Sequence, residues 1–281
     1  MSKLWILGDS YASLYLGTDT YLNKIAVDLK LLPQLPGGHG GSSLPYMFAE
    51  QWPKIKPQLQ PNDLLLIAVT GPHRTWFFHA YPNISTLGSI NPNTVRHVAQ
   101  TVAPADEGIG ILTQDQIAAF NHYYVYLHRD QLHLEWLRSW FEDVNATCCQ
   151  LGIKAVVLDC FGPKQVDSLH VDSTMQVKTD HLPAIIRGNQ CLHHVTKLEY
   201  ADSRTQDYID RNLDPRMNHL SKLNHAILAK KITNSVKNNV PLDLTSGWAS
   251  RHIASSQFAS EEYLKTVFAW PLCHKLNPND F

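Results

Sequence analysis

The chain has 281 residues and a mass of 31.8 kDa, enough for one large α/β domain or two small ones, and enough to bury a sizeable core. Its 24 Lys plus Arg balance 25 Asp plus Glu, and no run of like charges stands out. Nothing in that balance points to a nucleic-acid groove or an anionic membrane surface, so a neutral or small-molecule partner is expected.

The five cysteines, Cys148, Cys149, Cys160, Cys191 and Cys273, are odd in number and lack CxxC spacing, which argues against a disulfide framework or a zinc ribbon. Reduced, mostly buried thiols are expected. No basic leader with an apolar stretch and small-residue cleavage site opens the sequence, and no run approaches the ~20 apolar residues of a membrane span. The chain therefore reads as a soluble protein, cytoplasmic or virion-associated, with no membrane partner.

In chain order, Lys3 to Leu7 (KLWIL) is an apolar run ending at Gly8, as for a strand buried on both faces of a parallel sheet. From Tyr11 onward Leu14, Leu22, Ile25, Ala26 and Leu29 follow a loose helical spacing, which predicts a helix directly after a Gly-Asp-Ser turn. The run LLLIAV, after Asp63, lies between Pro61-Asn62 and Gly71-Pro72 and reads as another buried strand.

Over 115–151, Ile117, Phe120, Tyr124, Leu127, Leu134, Leu137, Phe141 and Val144 recur at helical spacings. Gly152 then suits a C-cap, and KAVVLDCF a strand. Ser221 to Lys237 places Leu223, Ile227, Leu228, Ile232 and Val236 along one face of a closing helix, behind Pro215 and Asn218.

Strands alternating with helices predict a parallel sheet covered on both sides, a three-layer α/β/α architecture. One domain over 1–240 is expected, with insertions at about 80–112 and 162–213, and a C-terminal extension, 241–281, packed on it.

Ligands of such sheets gather beyond the C-terminal ends of the strands, where Gly8-Asp9-Ser10 would lie. Gly8 permits a sharp turn, and a serine at a helix start has free backbone N–H groups beside it, a good setting for a nucleophile and an oxyanion. The alternative is that Asp9 or Ser10 simply caps the helix. A nucleophile needs a base. His219, in NLDPRMNHLSKLN just before the closing helix, is the candidate among the 15 histidines, since it has an acid nearby in a turn.

The cluster Gly37-Gly38-His39-Gly40-Gly41-Ser42-Ser43 lacks the lysine of a phosphate loop and the order of a dinucleotide fingerprint, leaving a flexible turn or a functional loop. His122, His128, His133 and His193-His194 form no HExxH, so neither a metal site nor another cofactor is expected.

Together, Gly8-Asp9-Ser10, the glycine cluster and Asp214 through His219 resemble the blocks of the SGNH (GDSL-type) hydrolases, in order and approximate spacing, across residues 3 to about 238. The resemblance implies a flavodoxin-like α/β/α fold and the hydrolysis of esters, including acetyl groups on sugars. It makes Ser10 the nucleophile and His219 the base, with the N–H of Gly41 or Gly40 joining that of Ser10 in an oxyanion hole. Asp9 is placed with these oxyanion and substrate-binding residues.

Two positions depart from the family pattern. His73 stands where the family has an oxyanion asparagine, leaving His73 or the forked donor of Arg74 to serve there. Arg216 stands where the family has its aspartate, so the acid would be Asp214, five residues before His219, in a loop that must bulge. Otherwise a Ser-His dyad remains.

The aromatics of TWFFHAY (Trp76, Phe77, Phe78 and Tyr81) are expected at the cleft mouth, against a sugar or an acyl chain. The expectation is a serine esterase that removes a small acyl group from a carbohydrate or similar ester. Its alternatives are a non-hydrolytic glycan-binding or structural protein, such as a virion component, and an acyltransferase.

Overall fold

The computed structural model describes residues 1–12, 20–34, 38, 42–71, 118, 122–123, 126–127, 129–160, 165–166, 169–170, 177–192, 220 and 222–248. Its centre is a five-stranded, all-parallel sheet. The strands are β1 (Lys3–Gly8), β2 (Leu32–Pro33), β3 (Leu64–Val69), β4 (Lys154–Asp159) and β5 (Ile185–Arg187), in the spatial order 2-1-3-4-5. That is the flavodoxin-like order.

Near-continuous apolar runs form these strands because both faces of the sheet are covered. Leu4 and Ile6 of β1 join Leu64, Leu66, Ala68, Val156 and Leu158 in one core cluster. Trp5 and Leu7 point the other way, with Leu65, Ile67, Val69, Ala155 and Val157.

Helix α1 (Tyr21–Leu29) covers the first face together with the closing helix, here α4 (Lys222–Asn238), and the two helices pack on each other. The second face is covered by a continuous helical stretch over 44–58, called α2, and by α3 (Asp130–Leu151). Three layers result, as the alternation of strands and helices predicts.

Local chemistry sets the ends of these elements. The Thr20 hydroxyl accepts from the Asn23 N–H and caps α1, while Ser43 does the same for Tyr46 at the start of α2. Helix α3 ends at Gly152 in the left-handed conformation (φ 67°), the expected C-cap. Helix α2 is pinned to α3 by Asp143, whose carboxylate accepts from Trp52 Nε1 and Lys56 Nζ, both at 2.7 Å. Partial burial pushes that carboxyl's pKa up, but these two donors outweigh it and hold the pKa below its usual value.

Three sequence expectations need correction. After the first turn, Ser10–Ala12 is a short 3-10 turn rather than the start of a long helix, and α1 begins at Tyr21, with 13–19 outside the described residues. A capped start at Thr20, rather than the apolar spacing from Tyr11, decides where that helix begins.

The helix expected over 115–151 is interrupted at Arg129, whose backbone is extended (φ −141°, ψ 115°). Tyr126 and Leu127, just before the break, are exposed, so they do not continue the buried stripe of α3. The segment expected as an insertion over 162–213 contains β5, a strand of the main sheet. With three half-buried residues, β5 is too short for a period to show.

Cys148, Cys160 and Cys191 are buried and Cys149 is exposed, and none of these four is in a disulfide. Beyond α4, Leu242 forms a parallel bridge with Gly188, and Leu242 and Leu244 enter the first core cluster. No helix among the described residues is long and apolar enough to cross a membrane.

At the N-terminal end of the sheet, buried Asp63 accepts from Lys3 N at 2.8 Å, Trp5 Nε1 at 2.7 Å and Gln60 N at 3.0 Å. Its removal strands three donors at once. Asp63→Ala is expected to lower the unfolding free energy by at least about 2 kcal/mol in urea titrations, with the parallel sheet still formed by circular dichroism.

Candidate functional site at the reversal of strand order

After β1 the chain adds β2 on one side and then β3 on the other, so the strand order reverses between β1 and β3. A crevice opens at such a reversal, outside the C-terminal ends of the strands. The residues at those ends are Gly8 and the turn after it, Thr70-Gly71 after β3, and Cys160 after β4.

Gly8 is required there by space. A Cβ on it would lie 2.8 Å from the Cβ and carbonyl oxygen of Ala68 and 2.9 Å from the Cβ of Ala12. The strand therefore passes tightly against β3 and folds straight into the 3-10 turn. Its N–H, beyond the end of short β2, is taken by Gln51 Oε1 of α2 at 3.3 Å.

Asp9 is fully buried, and its carboxylate accepts from the Tyr11 N–H at 3.0 Å. Its carbonyl accepts from the Ala12 N–H at 2.9 Å. Asp9, one of the two residues weighed as caps, thus makes a capping contact to the backbone. The Ser10 backbone lies in the 3-10 turn; its hydroxyl lies outside what is described. A turn of three residues has little dipole, so the long-helix argument for Ser10 does not carry over.

Gly38, of the glycine cluster, sits on this turn. Gly38 donates its N–H to the Ala12 carbonyl at 2.9 Å, and a Cβ on Gly38 would fall 2.4 Å from the Asp9 carbonyl oxygen. Ser42 and Ser43 are buried on the far side of the cluster. Gly40 and Gly41, expected to give the oxyanion N–H, lie between these anchors and outside the described residues.

His73 and Arg74 follow buried Gly71 and lie outside as well, as do Asp214 and His219. Leu220, the residue after His219, is buried in the same cluster as Tyr11, Ala12, Tyr21 and Cys160. A further tie reaches α4 through Tyr21. Its N–H donates to His225 Nδ1 at 3.3 Å, its ring stacks on His225, and its hydroxyl donates to the Tyr11 carbonyl at 2.8 Å. Burial first, then Cys160, Asp9 and Tyr11, push the Tyr21 phenol well above its usual pKa, so it stays a neutral donor.

No family model, curated protein or solved structure matches this chain. The site therefore rests on geometry and on the motifs themselves.

The sequence reading missed one polar pair at this end of the sheet. Arg187 of β5 meets Asp159 of β4 through two hydrogen bonds of 2.7 Å, donates to the Val177 carbonyl and lies over the Phe141 ring. The acid ending VVLD was visible in the sequence, but its partner sits on the strand that no pattern marked. Among the described residues no cluster of three or more His, Cys, Asp or Glu could hold a metal ion.

The seating of the glycine cluster is open to a direct check. Gly38→Ala is expected to cost about 1–3 kcal/mol in urea unfolding, because both nearest contacts, the Asp9 carbonyl oxygen and the Ala12 Cβ, are fixed by the turn. Unchanged stability would mean that the cluster does not rest on the turn.

Proposed function

We propose that this protein is a serine esterase of the SGNH type that removes a small acyl group, such as acetyl, from a carbohydrate or a similar ester. The observation that carries the reading is the position of the Gly8–Ala12 turn. It lies at the reversal of strand order, with Gly38 of the glycine cluster pressed against it and Leu220, next to His219, packed in the cluster that holds Tyr11 and Ala12. These contacts of Gly38 and Leu220 support the reading.

In this mechanism His219 takes the proton from Ser10 as its oxygen attacks the ester carbonyl, and returns it to the leaving alcohol. The N–H groups of Gly41, or Gly40, and Ser10 hold the oxyanion, with Arg74 or His73 as further donors. Asp214 orients His219; without it the pair works as a dyad. Water activated by His219 then releases the acyl group from Ser10. No metal or organic cofactor takes part in these steps. The aromatics Trp76, Phe77, Phe78 and Tyr81 would supply flat apolar faces for a sugar ring.

The test is hydrolysis of p-nitrophenyl acetate by the wild type beside Ser10→Ala and His219→Ala, each checked for folding. Both variants are expected to lose at least about a hundredfold in kcat. A wild type no faster than Ser10→Ala would overturn the esterase reading and favour a non-hydrolytic glycan-binding or structural role. Turnover that rises with an added alcohol acceptor, with the acyl group found on that alcohol, would instead mark an acyltransferase.

A further inference from the structure

Three buried side-chain atoms among the described residues have no hydrogen-bond partner: Gln51 Nε2, Thr70 Oγ1 and Thr233 Oγ1. Leaving such a group unpaired works against folding, so each calls for a reason. Gln51 already uses its Oε1 on Gly8, and Thr233 lies within α4, away from the strand ends. Thr70 is different. It is fully buried, it follows the six apolar residues of β3, and it ends the central strand at the reversal of strand order.

The register places it further. The last β1–β3 pair is Gly8–Ala68, two residues before Thr70, and there β1 leaves the sheet for the 3-10 turn that begins at Ser10. One step on from Val69–Asp159 sets Thr70 level with Cys160, and the Cys160 N–H bonds to the Val69 carbonyl, so the ladder reaches this level. Leu66 and Ala68 face the cluster that includes Tyr11, Ala12, Cys160 and Leu220. Strand alternation turns Thr70 to that same face, on which the Ser10–Ala12 turn packs against β3.

We propose that the Thr70 hydroxyl is an additional oxyanion donor, aimed at the ester carbonyl oxygen of a substrate attacked by Ser10. This rests on the esterase reading and supplies a donor on β3 where the asparagine of the resembled family is replaced by His73. As the bond from Ser10 Oγ to the carbonyl carbon forms, the π electron pair moves to the carbonyl oxygen. Thr70 donates a hydrogen bond to that oxygen and keeps its proton. The bond weakens again when the carbonyl re-forms and the alcohol leaves.

A hydroxyl that waits unpaired for a transition state has a distinctive signature: removing it relieves the fold and harms the reaction. The experiment compares wild type, Ser10→Ala, Thr70→Val and Thr70→Ser by p-nitrophenyl acetate kinetics and by urea unfolding. Thr70→Val, nearly the same shape, is expected to keep or raise the urea midpoint while kcat falls about a hundred- to thousandfold and KM stays within about threefold. Thr70→Ser is expected to restore kcat to within about tenfold.

Wild-type kcat in Thr70→Val would overturn the assignment. A lowered urea midpoint in Thr70→Val would also overturn it, by showing that the hydroxyl is a structural bond. A wild type no faster than Ser10→Ala removes the esterase reading itself and this assignment with it; that outcome is read from the first pair of proteins before either Thr70 variant is considered.

Discussion

The passage of Gly8 against Ala68 is the constraint on which the rest of this end of the molecule depends. Where a side chain on residue 8 would hold β1 away from the central strand, its absence lets the chain leave the sheet and turn at once. Asp9 then closes the turn with its own carboxylate, and Gly38 settles on the carbonyl of Asp9 and on Ala12. At Gly8 and Gly38 these are close approaches that no larger residue permits. Gly38 and the Gly-Asp-Ser turn, distant in the sequence, are consequently packed together.

The two ends of the sheet handle their polar groups differently. At the N-terminal end Asp63 gathers the Lys3 and Gln60 N–H groups and the Trp5 indole. At the C-terminal end Asp159 and Arg187 satisfy each other on one side of β3, while Thr70 at its tip stays unpaired. A strand tip with an unmet donor is poorly suited to stability alone. It is well suited to a site whose partner arrives from outside, which is the role proposed for it.

Much of the architecture was legible before any coordinates. KLWIL, LLLIAV and KAVVLD are apolar on both faces, a pattern that fits strands of a covered parallel sheet, and Gly152 marks a helix end by its conformational freedom. Less legible were β5, whose residues Ile185–Arg187 are too few to show a period, and the start of α1, where a Thr20 cap rather than apolar spacing sets the boundary. The break at Arg129 was hidden because Leu127 fits a helical spacing in sequence yet is exposed.

The candidate site divides in the same way. By itself the sequence determined the residue types and their order: a glycine turn with an acid and a serine after the first strand, a glycine cluster, and a histidine before the last helix. Those follow from local chemistry, which a sequence records. Only the tertiary structure decided that β1 and β3 are neighbours at the reversal of strand order, that Gly38 rests on Asp9, and that Thr70 is a donor without a partner. Such facts depend on contacts between residues tens of positions apart, and neither periodicity nor spacing encodes which surfaces meet.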